Sequence, residues 1–247
     1  MCYERPVTNP ASAELEKIQT FEGKYPRQIW SLFFSEMWER FSFYGMRGML
    51  TYFMVDQLLM TEKVANLQYG ATQAFVYAFT FVGGLFADKI LGFRKSLFWG
   101  GLLMIVGSLV LAVNPQKLFF VGIAFNIVGT GFFKPNISTM VGSLYKDGDT
   151  RRDAGFSLFY SGINIGALIG GYIPIAVGKE YSWNLAFGLT AIVMTVGVAW
   201  FAVTRKNLGP IGLQPPQKAK WPEYATYFGT LVMIPVLMTM VSQTDLT

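Results

Sequence analysis

Seven apolar stretches constrain this chain more than any other feature. They run at about residues 29–54, 68–87, 96–113, 118–142, 154–177, 184–203 and 223–241. Segments of roughly 20 apolar residues match the hydrocarbon thickness of a bilayer. Backbone crossing that layer has to satisfy its own hydrogen bonds, which a helix does within one segment. The expected class is therefore an all-α integral membrane protein. Charged residues make up only 14% of the chain, against about 25% in soluble domains.

The first stretch is the most demanding, because Glu36, Glu39, Arg40 and Arg47 stand inside it. An ionised group at the centre of a membrane helix costs about 2.5 to 3.5 kcal/mol on insertion scales. Four of them require mutual pairing or a wet cavity. At about 100° per residue, Glu36, Arg40 and Arg47 fall within roughly 40° of one another, with Glu39 just to one side. Glu36 and Arg40 form an i,i+4 pair with the acid N-terminal, the favourable order.

Basic residues orient the spans. With the N-terminus in the cytoplasm, 14 of the 20 Lys and Arg residues collect on that side, in the tail, in two loops and in a linker that includes Lys218 and Lys220. Three (Lys63, Lys117, Lys179) fall opposite, and three (Arg40, Arg47, Lys134) lie within spans. The positive-inside rule therefore puts the N-terminus inside. Residues 1–28 read as a polar cytoplasmic tail with no cleaved signal peptide, the first span itself directing insertion. In this setting the net charge of +5 reflects orientation rather than nucleic acid.

Six spans divide into two triplets, and the first span of each alone carries deep charge. That is the placement expected of inverted three-helix repeats in a transporter. In the fourth span, Gly129-Thr130-Gly131-Phe132-Phe133-Lys134-Pro135-Asn136 combines helix-weakening glycines with a proline that frees the Gly131 carbonyl. Lys134 and Glu36 each sit roughly 12 Å from the same membrane face. Lys134 either faces a cavity or snorkels to the headgroups. In the fifth span Gly162, Gly166 and Gly170 form a close-packing stripe. Asn164 and Tyr160 lie on another side, Asn164 serving either a site or an interhelical hydrogen bond. Tyr77, taken alone, reads as core. Between the second and third spans, Asp88 followed by Gly92, Arg94 and Lys95 reads equally as a latch or as a solvated loop.

Several of these stretches resemble one family. Glu36-Met37-Trp38-Glu39-Arg40-Phe41-Ser42-Phe43-Tyr44-Gly45 is similar to the ExxERFxYYG motif of the proton-dependent oligopeptide transporters, a branch of the major facilitator superfamily. Phe43 stands where the pattern usually has Tyr. Gly131 to Ser138 resembles the family's fourth-span signature, Asp153 to Gly166 its fifth-span signature, and Asp88 to Lys95 the superfamily's loop between the second and third spans. The resemblance implies a proton-coupling cluster of Glu36, Glu39 and Arg40. It implies a peptide site of Tyr44, Arg47, Tyr77, Lys134 and Asn164, with Arg47 and Lys134 receiving the peptide carboxylate, and gating by Asp88 and Arg94. Three deep bases against two deep acids leave +1 if all ionise, which suits an anionic substrate end. Burial disfavours a carboxylate's charge and a neighbouring base favours it, so a cluster whose partners change during transport can switch a proton.

The resemblance further implies the N-terminal six-helix bundle of that superfamily over 29–203, built from two three-helix repeats. A cytoplasmic linker at 204–222 and the first helix of an inter-domain hairpin at 223–247 would follow. The expected function is a proton-coupled symporter of di- and tripeptides working by alternating access in the inner (plasma) membrane, with the C-terminal half of the same transporter as partner. Alternatives are the same fold carrying nitrate or another small anion, and a half-length structural or regulatory protein. No cofactor is expected beyond the proton, nor a metal. The chain has one cysteine and no histidine, and no nucleophile–base pair or metal-ligand cluster, which argues against an enzyme.

Overall fold

The computed structural model describes residues 10–216 and 219–243. Among them the regular elements are all helical: α1 Pro10–Gln19, α2 Ile29–Asp56, α3 Glu62–Phe86, α4 Phe93–Val113, α5 Pro115–Gly142, α6 Arg151–Glu180, α7 Trp183–Thr204 and α8 Trp221–Ser242. A π-turn over Ala87–Leu91 prolongs α3, and a 3-10 turn over Arg205–Leu208 prolongs α7. Helices α3 to α8 are long and apolar enough to cross a membrane. Helix α2 has the length, at 28 residues, but its charged centre sets it apart in composition.

The helices begin outside their apolar stretches because caps, not hydropathy, start them. The Thr61 hydroxyl accepts from the Val64 amide at the head of α3. The Asn114 side chain accepts from the Lys117 amide at 3.0 Å, and Pro115 fills the first helical position of α5, where its missing N–H costs nothing. Helix α5 then runs unbroken through Pro135. The Asn136 side-chain amide donates to the Phe132 carbonyl at 2.6 Å, one turn back.

The two triplets, α2–α4 and α5–α7, interlock. Helix α2 packs most extensively on α6 and α7, and α5 on α3 and α4, while α4 meets α7. The first helix of each triplet thus sits against the second and third of the other. Without a hydrophobic drive between helices in lipid, such packing relies on close backbone approach at small residues. Glycines supply it on every one of the α2- and α5-centred faces. The Gly162, Gly166 and Gly170 stripe lies on Phe33, Met37 and Phe41 of α2. Gly131 meets Phe79 and Gly83 of α3, and Gly129 meets Gly100 of α4.

One end of the bundle carries a collar. Part of the stretch read as a polar tail is helix α1, which the sequence pattern does not announce. A ten-residue helix is marginal alone, but Ile18 is buried and the Gln19 amide donates to the Ser143 and Tyr145 carbonyls at 3.1 and 3.2 Å. The Arg151 guanidinium donates to the Phe21 carbonyl at 2.9 Å and lies 3.9 Å from that ring's centroid. The stretch after α7 joins the collar, and Gly92 makes this possible. Its φ of +75° suits glycine, and a Cβ there would lie 2.6 Å from the Gln214 backbone.

Candidate functional site

Helix α2 supplies the core of the site. Glu36, Glu39 and Arg40 are almost wholly shielded, at 2, 0 and 3% exposure. The Arg40 Nε lies 2.9 Å from Glu36 Oε1 and also contacts Glu39 Oε2. The guanidinium further sits 5.3 Å from the Phe43 ring centroid, so the phenyl ring at this position offers its electron-rich face to the charge. These contacts are not fully hydrogen-bonded. Glu36 Oε2, both Glu39 carboxylate oxygens and Arg40 Nη2 have no aligned hydrogen-bond partner among the described residues. Two acids share one base in a setting where unsatisfied charge is costly. Such a cluster responds strongly to a proton or to another cation.

That other cation is close by. Lys134 of α5, half-buried, interacts electrostatically with Glu36, Glu39, Arg40 and Arg47. Its ammonium lies 5.0 Å from the ring centroid of Tyr77. Lys134 reaches toward α2 and α3 rather than away from them. Tyr77 is 62% exposed, so it is not a core residue; it stands on the open side of α3 with Lys134 against its ring.

Arg47, almost two turns after Arg40, forms the far wall. Its Nε donates to the Tyr69 hydroxyl, and its guanidinium lies 5.9 Å from the Tyr44 ring centroid and 5.6 Å from that of Tyr69. The sequence reading missed Tyr69. A usable signal existed, since Tyr69 stands eight residues before Tyr77, about 80° away around the same helix.

Asn164 is exposed on α6 and makes no side-chain hydrogen bond among the described residues. Tyr160, one turn earlier, is 56% exposed. The helical angle that sets Asn164 opposite the glycine stripe therefore holds: the stripe packs on α2 and Asn164 faces out. The structure brings together Glu36, Glu39, Arg40, Tyr44, Arg47, Tyr77 and Lys134, and leaves Asn164 on a separate open face.

Asp88 and Arg94 are apart. No ion pair joins them among the described residues. The Arg94 Nε donates to the Ile211 carbonyl at 2.6 Å and its Nη2 to the Gly209 carbonyl, while its amide donates to Gly212 at 2.9 Å. Lys95 pairs with Glu223 of α8 at 2.6 Å and donates to Gln214 at 2.6 Å. The two bases of this loop thus hold the collar and α8, and Asp88 stays exposed. Among the described residues there is no group of three or more Cys, Asp or Glu arranged to hold a metal ion.

A family model described as the POT family matches residues 94–220. The chain is 40% identical over 234 residues to a di-/tripeptide transporter of Lactococcus lactis subsp. cremoris, covering 89% of this chain and 46% of that protein. It is 40% identical over 191 residues to a peptide transporter of Yersinia enterocolitica, covering 74% and 37%. A crystal structure of a POT family transporter in complex with a thioalcohol-conjugated peptide superposes with a TM-score of 0.77 at 34% identity, over 93% of this chain and 49% of that one. The chain thus spans less than half the length of these curated relatives.

Proposed function

The chain belongs to the POT family, and on that premise we propose that it supplies one six-helix half of a proton-coupled symporter of di- and tripeptides. It is a multi-pass membrane protein. We place its α1 end in the cytoplasm and its membrane as the inner (plasma) membrane, on the 14-to-3 division of basic residues. The linkage of Lys134 to Glu36 and Glu39 is the observation that carries the reading. An anionic substrate end that engages Lys134 and Arg47 withdraws positive charge from the two acids. Their proton affinity then depends on whether substrate is bound, and that dependence is coupling in thermodynamic terms. Tyr44, Tyr69 and Tyr77 would line the path, and Asn164 would face it from α6. A second half-transporter packed over the open sides of α3 and α6 would close the site, and rocking between the halves would expose it alternately to each side.

Di- and tripeptide specificity is tested by uptake into liposomes under an inward proton gradient, with the transporter that contains this chain. Saturable dipeptide uptake, competed by other dipeptides and not by nitrate, is expected; competition by nitrate alone favours the anion-carrier reading. Lys134→Ala should weaken binding of a dipeptide by about 10- to 100-fold, the loss of a hydrogen bond between charged groups. Its effect on a C-terminally amidated dipeptide should be small. Unchanged affinity for the free dipeptide shows that Lys134 does not hold the carboxylate.

A further inference from the structure

Beside the site, α3 and α8 enclose a groove of about 780 Å³ that the proposed transport cycle does not use. Phe79, Val82 and Phe86 form one wall, Phe132 the floor, and Phe228 and Met233 the other wall. Two threonines also reach it, but their hydrogen bonding is met inside the protein. Thr226 donates to the Pro222 carbonyl at 2.8 Å, and Thr230 donates to the Tyr227 carbonyl at 2.7 Å while accepting from the Trp99 indole at 3.1 Å. Water therefore gains nothing by entering. Both walls are helices long and apolar enough to span a membrane, so the groove lies at hydrocarbon depth.

The mouth of the groove, at the α1 end, is basic. Ile90 and Trp221 line it, and each is preceded by an exposed lysine, Lys89 and Lys220. Neither lysine has an ion pair among the described residues. Glu223, the nearest acid on α8, is already held by Lys95, Gln214 and Tyr227. Asp88, exposed beside Lys89, offsets one charge and leaves one positive charge in excess at the mouth. Trp221 and Tyr224 stand exposed at the same level, at 71 and 64%, as aromatic side chains do at a membrane–water boundary.

We propose that this groove binds an anionic phospholipid, with one acyl chain between α3 and α8 and the phosphate on Lys89 and Lys220. The two lysines favour an anionic headgroup over a zwitterionic one, and at about 1 kcal/mol for the one net positive charge near a membrane surface the preference is about fivefold. A protein segment seated in the groove would cover Trp221 without calling for an anion.

The full chain is reconstituted in phosphatidylcholine membranes doped with acyl-brominated lipid, and quenching of Trp221 fluorescence is isolated by subtracting the Trp221→Phe variant, since the chain has six tryptophans. Brominated phosphatidylglycerol should quench Trp221 at about one fifth of the mole fraction needed by brominated phosphatidylcholine. Lys89→Gln with Lys220→Gln should make the two lipids equal. Gly229 lines the groove, and a Cβ there meets nothing within 4 Å, so Gly229→Leu fills the space without disturbing the helix and should abolish saturable quenching by both. Equal quenching in the unsubstituted chain, a preference that survives the lysine changes, saturable quenching that survives Gly229→Leu, or a Trp221 that neither lipid quenches overturns the proposal.

Discussion

Gly166→Ala lowers the apparent melting temperature of the purified protein by about 6–12 °C, while Gly171→Ala on the same helix leaves it unchanged or raises it. The two substitutions add the same methyl group to α6. At Gly166 that carbon collides with the Met37 carbonyl oxygen and comes within 2.9 Å of the Arg40 Cβ. Backbone cannot rotate away as a side chain can, so α2 and α6 have to separate. Overpacking of this kind costs about 3 kcal/mol, the upper end of the usual range, and at roughly 2–4 °C per kcal/mol for a chain of this size the shift follows. At Gly171 a Cβ meets nothing within 4 Å. There only the helix-propensity gain of Ala over Gly remains, about 1 kcal/mol. Differential scanning fluorimetry in detergent reads both. The displacement would also move Arg40, whose Cβ is part of the contact, so surviving Gly166→Ala protein should transport poorly.

The second large effect is at Arg40 itself. Arg40→Ala leaves Glu36 and Glu39 buried with no base in contact, and removing one partner of a buried ion pair costs about 3–5 kcal/mol. Much of that cost is the stranded charge rather than the lost attraction. Adding Glu36→Gln and Glu39→Gln to Arg40→Ala should therefore recover a large share of the stability. A triple variant as unstable as Arg40→Ala, or less stable, contradicts the view that the cluster is held by charge pairing. Thermal unfolding of the single and triple variants, each in the same detergent, decides it.

The fold was legible where hydropathy and residue size carry it. The apolar runs gave every long helix, and the spacing of Gly162, Gly166 and Gly170 gave the face that α6 turns to α2, with Asn164 opposite. Helix starts were less legible, because Thr61 and Asn114 cap from outside the apolar stretch. The collar was not legible at all. Arg94 binds the main-chain carbonyls of Gly209 and Ile211, and a carbonyl acceptor leaves no mark in the sequence. The same loop shows why a charge pattern underdetermines its partners. Asp88 and Arg94 have the spacing of a latch, yet Arg94 spends its donors on the stretch after α7.

In the site, the i,i+4 pairing of Glu36 with Arg40 followed from helical geometry and appears in the structure, and Lys134 interacts electrostatically with both acids. Tyr77 did not follow. An aromatic residue in a membrane helix reads as core, and only the position of Lys134 against its ring shows otherwise. Tyr69 was passed over because it opens the apolar stretch at 68–87, where nothing in the sequence marks it as a partner of Arg47. Tyr77, which only the resemblance placed in the site, and Tyr69, which was missed, are both aromatic partners of cations, and such contacts have no fixed sequence spacing.

The central claim is that Glu36 couples the proton to substrate movement. Glu36→Gln keeps the size and shape of the side chain and removes its titration. Reconstituted in liposomes beside the unsubstituted transporter, this variant should lose dipeptide uptake driven by an inward proton gradient and retain counterflow exchange of dipeptide across the membrane. Gradient-driven uptake at the unsubstituted rate in Glu36→Gln contradicts the account.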